Sequence, residues 1–466
     1  MARIQRSSFR KQWHQAVRRA LNVMPVRWRF ALYRRMIDCD PAPPGHLQLK
    51  IADTREELTA CFQLLHDAYV ASGFMKPHPS GLRVTPYHAL PTTTTLCAKI
   101  DGRVVGTMSM IREGVFGFPL QAAFDLNEVR AKEGQIAEIS ALAVHPDYRK
   151  TGGAILFPLM KFMYEYCTRY FDVRHLVIAV NPDKIELYES LLFFQRLRGN
   201  VVDKYDFANG APAVGATLDL AQAPALFERV YGSRSARKNL FKYFVQTRLP
   251  HIQLPQRRYH TTNDPVMTPE LLDHFFNRMT QGFAELDERK RLLLRSIYGL
   301  PDYDPVLPGR QPQAIGHHPL RRHQRYSLRC PAQLVLGGVA LPLTVIEVSA
   351  GGFQAECKVP LPLDAQGTAV VELGDQERST LQVRIMRNGG RSSVYGGFYG
   401  FKLLGADEPW RRCVAALEQG QTAADLMRPV AVAVADVAAA PAPAPAASPA
   451  SAPATPRGVG PLAAVG

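Results

Sequence analysis

The sequence predicts an α+β protein with a mixed α/β domain, a helical extension, a small β-barrel and a disordered Ala/Pro-rich tail. Three observations predict it. Strand-like and helix-like segments follow the order β-α-β-β-β-α-β-α between residues 46 and 193. Short β-type runs separated by turns fill residues 319–405. From about Val430 onward the chain is almost entirely Ala, Pro, Val and Gly, a composition that cannot bury a core.

Each element of the mixed domain has its own local signal. His46 to Ile51 alternates apolar and polar residues as a strand does, and Thr54 followed by two acids opens a helix. A turn at Asp101–Gly102 joins the next two strands. The remaining predicted elements are strands at 95–100, 104–111, 139–144 and 174–180, and helices at 155–166 and 184–193.

The passage EISALAVHPDYRKTGGA, at residues 138–154, carries the clearest functional signal. An apolar strand ends at His145–Pro146, and a basic, glycine-bearing turn leads into a helix. Free N–H groups and the positive end of a helix dipole make such a turn an anion site, and its small residues let a pyrophosphate approach. The alternative is an ordinary strand–helix corner.

This turn resembles the acyl-CoA-binding turn of the GNAT acyltransferase superfamily. The resemblance rests on Arg149-x-x-Gly152-x-Ala154 between a predicted strand and a predicted helix. It implies that acyl-CoA, or another phosphopantetheine thioester, is held by Leu142, Val144, Arg149, Gly152, Gly153 and Ala154.

Composition limits the class of protein. The chain has 466 residues, of which 46% are hydrophobic and 21% charged, so two or three globular domains are expected. No apolar run is long enough for a transmembrane helix, and no secretory signal is evident. Seven scattered cysteines, never spaced C-x-x-C, predict reduced thiols in a cytoplasmic protein without a metal cofactor. The net charge of +15 predicts acidic partners.

The positive charge is concentrated at the N-terminus. Residues 1–36 contain ten Arg or Lys and no Asp or Glu. Phe9, Trp13, Val17 and Leu21 recur every fourth residue and would share one helix face, and a second basic-aromatic piece runs from 27 to 35. Such a segment can lie on an anionic membrane as a peripheral contact. The alternative is that the apolar residues pack on the domain and the arginines are solvated.

Shifts in composition predict the domain boundaries. A Pro-rich linker ends near Gly45, and a second Pro- and Gly-rich stretch runs from Pro301 to His318. The predicted parts are a basic segment with its linker at 1–45, the mixed domain at 46–250, a helical extension at 251–305, a linker at 306–318, the barrel domain at 319–425 and the tail at 426–466.

A closer resemblance covers residues 47–245. It is to the N-acyl amino acid synthases, relatives of the acyl-homoserine-lactone synthases. The similar pieces occur in the right order: LLHDAYVASGFM (64–75), GLRVTPYHALPTTTT (81–95), VVGTMSMI (104–111), GFPL (117–120), EISALAV (138–144), NPDKIELYESLLFF (181–194) and NGAPAVGATLDL (209–220). The resemblance implies a GNAT core and transfer of a fatty acyl chain from acyl carrier protein to an amino acid amine.

Amide formation needs a base, because an ammonium group has no lone pair to attack a thioester. The resemblance implies that Glu138 is this base; alternatively it pairs with a cation or binds the incoming ammonium. Tyr188 lies where many GNAT enzymes place an acid for the leaving thiolate, although it could equally be a core tyrosine. Backbone N–H groups between Leu142 and Val144 would hold the oxyanion.

The choice of donor follows from charge as well as motif. Acyl carrier protein and CoA share the phosphopantetheine arm, and carrier protein is acidic, which suits a basic chain. Arg83, Arg149 and Lys150 are candidate contacts, each with the alternative of a solvated surface charge.

The barrel region resembles the PilZ domain, a receptor for cyclic di-GMP. The similar residues are the run RRHQR (321–325) and, some twenty residues later, EVSAGG (347–352). The resemblance implies nucleotide binding by Arg321, Arg322, Arg325, Glu347, Ser349 and Gly352. Arginines suit phosphates and guanine faces. Glu347 departs from the family's Asp or Asn, which puts the strength of binding in doubt.

Together these features predict an N-acyltransferase regulated by cyclic di-GMP. The alternative is a non-catalytic cyclic di-GMP receptor whose degenerate GNAT domain binds a partner. Binding to a nucleic acid duplex is disfavoured, because only the high isoelectric point suggests it and no recognition-helix motif is present.

Overall fold

The described part of the chain contains an eight-stranded sheet and a closed six-stranded barrel. The computed structural model describes residues 24–132, 134–149, 151–171, 173–198, 201–205, 207, 210–254, 257–261, 267–298, 301–309, 323, 325–374, 376–388 and 397–418. The predicted α+β class and the predicted small barrel are confirmed. The predictions for residues 1–23, Lys150, Arg321, Arg322 and the tail fall outside the described residues.

The sheet forms the centre of the first domain. Its strand order is β1-β2-β3-β4-β5-β8-β6, with β7 also paired to β8. Among the described strands, β4 and β5 are the only parallel pair, as expected for a strand–helix–strand crossover. The strands are β1 (Leu47–Ile51), β2 (Thr93–Ile100), β3 (Arg103–Arg112), β4 (Gln135–Val144), β5 (Val173–Val180), β6 (Gln195–Arg196), β7 (Val202–Tyr205) and β8 (Ala211–Asp219).

Helices cover both faces of this sheet. They are α1 (Val26–Arg35), α2 (Arg55–Ala71), α3 (Asn127–Arg130), α4 (Leu156–Glu165), α5 (Pro182–Leu192) and α6 (Ala223–Tyr231). The Thr54 side chain accepts the Glu57 N–H at the start of α2, as the sequence predicts. The helix α2 packs on β2, β3 and β4, whereas α4 packs on β1, β2 and β3. The two helices bury different hydrophobic clusters, which places them on opposite faces.

The central strands β4 and β5 part halfway along their length. Their pairing runs from Gln135 to Glu138 on β4 and stops at the Glu138–Val177 pair. Beyond it, β4 stays paired to β3 and β5 stays paired to β8. A bulge in β4 lies at this point, where the register to β3 shifts and Ala141 adopts a φ of 55°. The gap between the strands opens a path through the sheet.

The helical extension packs on α2. It consists of α7 (Pro269–Leu272), a π-helical turn over Asp273–Arg278, and α8 (Glu288–Ile297). The rings of Phe62 and Phe275 meet edge-on with centroids 5.1 Å apart. The predicted helical extension is therefore divided into short helical pieces. No helix among the described residues has the length and apolar character needed to cross a bilayer.

The second domain is the closed barrel. Its order is β10-β11-β14-β13-β12-β9, built from β9 (Tyr326–Leu336), β10 (Val339–Ser349), β11 (Gly352–Cys357), β12 (Gln366–Gly374), β13 (Glu377–Asn388) and β14 (Gly397–Gly405). The helix α9 (Glu408–Glu418) packs against it through the buried Trp410. The Trp410 indole N–H donates to the Ser349 carbonyl at 3.1 Å.

Residues 257–261, here named the strap, join the two domains. The sequence predicts that they belong to the helical extension, but they lie against β9 and β12 of the barrel. The His260 N–H donates to the Leu373 carbonyl of β12, and the His260 carbonyl accepts the Arg329 N–H of β9, both at 2.9 Å. At the other end, the Arg257 guanidinium donates to the Tyr166 hydroxyl at 3.1 Å. The strap therefore contacts both domains through one short segment.

Candidate active site

A cavity of about 350 Å³ lies where β4 and β5 part. Successive side chains on a strand point to opposite faces of a sheet, and residues of both faces line this cavity. One group surrounds Glu138 and includes Tyr69, Tyr205 and Phe207, while another includes Met163 and Phe244. The cavity therefore passes through the sheet, with a carboxylate on one side and an apolar chamber on the other.

Glu138 is the buried charge of this cavity. It is 1% exposed and occupies the last β4 position that pairs with β5. Its carboxylate accepts the Leu120 backbone N–H at 3.0 Å. Burial raises the pKa of Glu138 to about 8, and the Leu120 hydrogen bond only partly opposes this. A carboxyl group with that pKa can take up and release a proton near neutral pH.

Two tyrosines lie close enough to Glu138 for its charge to change their pKa values. Burial, and then the Glu138 charge, raise the pKa of Tyr87 to about 12 and raise that of Tyr205 as well. Tyr205 lines the cavity and is 4% exposed. Its hydroxyl has no hydrogen-bond partner among the described residues. A buried hydroxyl in a cavity is suited to bonding a ligand, because otherwise its desolvation goes uncompensated.

Tyr188 lies on α5 and lines the same cavity. Burial raises its pKa, so it stays protonated and can donate a hydrogen bond. Its ring meets that of Phe194 edge-on at 5.9 Å. Glu138 and Leu142 of β4 and Tyr188 of α5 therefore share one cavity, whereas the expected site residue Val144 does not line it.

The predicted anion turn lies between β4 and α4. The Arg149 side chain folds back, and its Nε donates to the Val144 carbonyl at 2.7 Å. Gly152 and Gly153 have φ values of 68° and 94°, a region that favours glycine. The helix α4 starts at Leu156 without a side-chain cap; the Phe157 N–H donates to the Gly153 carbonyl at 2.9 Å and Pro158 has no N–H, so Leu156 has the first-turn N–H available to a ligand. Lys150 is outside the described residues.

Arg83, a candidate surface contact, is instead half-buried beside the cavity. Its guanidinium lies 4.0 Å from the ring centroid of Tyr69, and it donates to the Phe207 carbonyl at 2.5 Å. It therefore braces two cavity-lining residues.

The apolar chamber is closed by residues that follow β8 in the chain. Ala223, Pro224 and Phe227 come from α6, and Phe244 and Val245 from the π-helical turn Lys242–Gln246. Lys161 of α4 is 1% exposed and donates to the Phe244 carbonyl at 3.0 Å. Its ammonium group also pairs with Glu165 at 2.8 Å, which offsets the burial of its charge. This contact fixes the turn that carries Phe244.

A second pocket, of about 260 Å³, lies on the barrel. Arg325, Glu347, Ser349 and Gly352 all line it, so the predicted nucleotide residues within the described part converge. Arg325 pairs with Glu347 at 2.7 Å, and the Ser349 hydroxyl donates to the Gly352 carbonyl at 2.9 Å. Gly352 cannot carry a side chain, because a Cβ there would collide with the Phe401 carbonyl.

No set of three potential metal-ligating side chains meets within the part of the chain that the structure describes. All seven cysteines belong to that part, where they are buried and unpaired.

The described residues form a mixed α/β domain whose central strands part over a cavity, joined to a closed six-stranded barrel. Residues 60–219 match the family model described as N-acyl amino acid synthase FeeM. This match confirms the resemblance seen in the sequence. No curated protein matches the chain significantly.

Solved structures of low sequence identity are similar to parts of the chain. FeeM, an N-acyl amino acid synthase from uncultured soil microbes, is 20% identical over 40% of this chain and 95% of its own, with a TM-score of 0.33. The CoA-dependent acyl-homoserine lactone synthase BjaI is 19% identical over 44% and 92%, with a TM-score of 0.33. The PilZ domain of YcgR from Escherichia coli, solved with c-di-GMP, is 16% identical over 22% and 93%, with a TM-score of 0.20.

The sequence alone did not point to three features of these sites. Tyr205 lies in a four-residue strand that only pairing with β8 defines. Phe244 lies in a π-helical turn that has no periodic pattern of apolar residues, and its carbonyl accepts a hydrogen bond from Lys161. Residue identity does not reveal that Glu347 contacts Arg325. The one sequence signal that could have found the Phe244 contact is Lys161 itself, a lysine placed between apolar residues of a helix.

Replacing Glu138 with Gln should stabilise the protein at alkaline pH. A carboxyl whose folded pKa is raised is neutral in both states below about pH 4.5, so it then has no effect. As the pH rises to about 8, the unfolded state ionises first and unfolding becomes easier. Glu138→Gln should therefore raise the thermal midpoint by roughly 5 °C at pH 8.5 and change it little at pH 5. Scanning fluorimetry measures this, and an equal shift at both pH values would contradict it.

Proposed function

We propose that the protein transfers a fatty acyl group from a phosphopantetheine thioester to the amine of an amino acid, under control of cyclic di-GMP. The observation that carries the proposal is the buried Glu138 carboxylate at the parting of β4 and β5, with its pKa raised to about 8. The donor is acyl carrier protein or acyl-CoA. The product is an N-acyl amino acid.

The amine side of the reaction falls to Glu138. The α-ammonium group of a free amino acid titrates above neutral pH, so a base whose pKa is raised to about 8 removes its proton far more readily than an ordinary Glu. The carboxylate takes the proton, directly or through water, and the freed lone pair attacks the thioester carbonyl carbon. The unpartnered Tyr205 hydroxyl is well placed on the same side to bond the amino acid.

The thioester side falls to β4 beyond the bulge. The oxyanion that forms on the carbonyl would accept hydrogen bonds from backbone N–H groups between Leu142 and Val144. Such groups can be available there because a bulge leaves one residue of β4 unpaired in the ladder. When the carbon–sulfur bond breaks, Tyr188 gives the departing thiolate a proton. As the amide forms, the attacking nitrogen loses its second proton, which passes through water to Tyr188 and replaces the proton given to the thiolate. Glu138 releases the first proton to solvent.

The donor would approach from the turn that ends β4. Gly152, Gly153 and Ala154 precede α4, and the helix N-terminus favours a phosphate. Arg149 is exposed there. Carrier protein is acidic, so the net charge of +15 supports it as the donor. CoA would use the same turn.

The fatty chain would fill the apolar chamber behind the sheet. Its walls include Met160, Met163, Phe227 and Phe244, and the lining of the cavity as a whole is mostly apolar, with Glu138 and Lys184 as its charged residues. Burying each methylene there is worth about 0.8 kcal/mol, which is enough to select chain length.

The barrel pocket is the proposed cyclic di-GMP site. Arg325 would leave Glu347 to bond a phosphate, while Gly352 allows close approach. Arg325 directly precedes β9, whose Arg329 is bonded to the strap. The strap in turn reaches Tyr166, at the end of the helix α4 whose other end forms the donor turn. Nucleotide binding thereby has a physical route to the donor turn.

The buried carboxylate in the cavity favours an enzyme over a non-catalytic receptor. A degenerate domain has no need to keep a buried ionisable carboxylate facing an open chamber, since such a group destabilises the fold.

The first test is amide formation and its pH dependence. With acyl carrier protein thioester and an amino acid, mass spectrometry should detect the N-acyl product. Its kcat/KM should rise with pH through two inflections, one near 8 from Glu138 and one from the amine. Glu138→Gln should lower kcat/KM by roughly 100-fold. Acceptors of different amine pKa should shift one inflection and leave the Glu138 inflection in place, and Glu138→Gln should remove the latter. Full activity of this variant, with both inflections kept, would refute the assigned base.

The second test concerns the apolar chamber. Phe244→Ala should enlarge it and raise the kcat/KM of longer acyl donors relative to shorter ones by roughly tenfold, as one methylene in a pocket can. Competition between donors of different length, with product masses as readout, measures this. Tyr243→Phe is the matched control, because Tyr243 packs on Phe244 with centroids 5.4 Å apart but does not line the cavity. An unchanged donor preference in Phe244→Ala would place the acyl chain elsewhere.

The third test concerns regulation. Titration calorimetry should detect cyclic di-GMP binding, and Arg325→Ala should weaken it at least tenfold. Arg257→Met should leave that binding intact and remove the effect of nucleotide on turnover, because it cuts the Tyr166 contact. The exposed Arg248 lies near in sequence, and Arg248→Met is the control. If cyclic di-GMP changed the turnover of Arg257→Met as much as that of Arg248→Met, this route would be disproved.

A further inference from the structure

The helix α1 is held on the protein by arginines, on a side where Phe30 and Tyr33 are also half-buried. Its Arg29 guanidinium donates to both carboxylate oxygens of Glu186 on α5, at 3.1 and 2.6 Å. Its Arg34 donates to the Ser190 carbonyl of the same helix at 2.9 Å. The Arg34 guanidinium also lies 5.6 Å from the ring centroid of Phe193. Arginines therefore hold α1 in place.

The opposite side of α1 is apolar and exposed. Trp28, Leu32 and Met36 follow each other at intervals of four residues, so they form one stripe. Their exposed fractions are 60%, 38% and 72%. An ordinary surface helix buries its apolar stripe, whereas this helix leaves three large apolar side chains exposed. A helix that shows Trp, Leu and Met outward needs a nonpolar environment on that side.

The charges around the stripe indicate which environment this is. Arg27 and Arg35 are exposed on α1, and the helix contains no acidic residue. Tryptophan with flanking arginines is the composition of helices that lie at the boundary between lipid headgroups and acyl chains.

We infer that α1 is a membrane-docking helix, which inserts Trp28, Leu32 and Met36 into an anionic bilayer surface while Arg27 and Arg35 contact lipid headgroups. The protein would lie on the bilayer through α5, since α5 holds α1 on one side and lines the cavity with Tyr188 and Leu192 on the other. This orientation brings the apolar cavity close to lipid. The inference does not depend on the proposed reaction.

The experiment measures binding of the full-length protein to large unilamellar vesicles. Flotation with phosphatidylcholine vesicles containing phosphatidylglycerol should recover the protein, and pure phosphatidylcholine vesicles should recover at least tenfold less. Raising the salt concentration should weaken binding, because it screens headgroup charge. With Trp13→Phe as background, the fluorescence of Trp28 should shift to the blue on binding, since the remaining Trp410 is already buried.

Three variants decide between surfaces. Trp28→Ser/Leu32→Ser/Met36→Ser should reduce vesicle binding at least tenfold. The matched control is Val339→Ser/Leu363→Ser/Leu404→Ser, which removes three exposed apolar side chains from the barrel domain and should bind as the parent does. Trp13→Ser/Val17→Ser/Leu21→Ser changes the other predicted stripe. Loss of binding in this last variant alone, with the α1 variant unaffected, would overturn the inference.

A measurement without lipid separates the remaining occupants. Light scattering should give the same molar mass for the parent and the α1 variant. A lower mass for the α1 variant would show that a second copy of the chain covers the stripe, and equal binding to neutral and anionic vesicles would remove the role of Arg27 and Arg35. Either result would contradict docking on an anionic bilayer.

Discussion

The rest of the structure depends on the point at which β4 and β5 stop pairing. Backbone groups that leave a ladder must find other partners, so a gap in the middle of a sheet is costly. Here each strand keeps its outer neighbour, β3 for β4 and β8 for β5, and only the facing edges are free. The bulge at Ala141 turns β4 away and sustains the gap. Glu138 is buried because it belongs to the last paired position, yet it borders the opening.

One strand thereby positions most of the proposed chemistry. The base at Glu138, the N–H groups near Leu142 and the turn at Arg149 all lie on β4 or directly after it. Their separations are set by strand geometry, with little dependence on how other elements pack. In the proposed reaction the two faces of the sheet divide the substrates. The amine side has tyrosines and a carboxylate, whereas the acyl chain would enter a mostly apolar chamber. Because the amine and the acyl chain would enter from opposite faces, they would meet only at the gap.

Periodicity and turns predicted the order of elements up to α5, because each element has its own amphipathic pattern and a clear start or stop. β8 could not be predicted in that way. Its residues APAVGATLD alternate weakly, and Gly215 is required because a Cβ there would meet the Phe124 ring at 2.8 Å. Tyr205 and Phe244 are placed by tertiary contacts alone. The face of α1 was also unpredictable, since arginines usually mark the solvent side, and here Glu186 draws them inward. Glu138 and the donor turn were identified through a family resemblance, as no local pattern distinguishes a base from a paired carboxylate.

The Arg325–Glu347 pair shows why a departure from the PilZ pattern need not abolish nucleotide binding. Both side chains are about a third exposed, at 32% and 29%, so solvent screens their attraction. Such a pair is worth at most about 1 kcal/mol. A hydrogen bond between arginine and a charged phosphate is worth about 1.5–3 kcal/mol, and cyclic di-GMP carries two phosphates. In the proposed binding mode the nucleotide would therefore outcompete Glu347 for Arg325, and the pair would hold the arginine at the pocket until the ligand binds. The longer glutamate side chain would lower the affinity without closing the site.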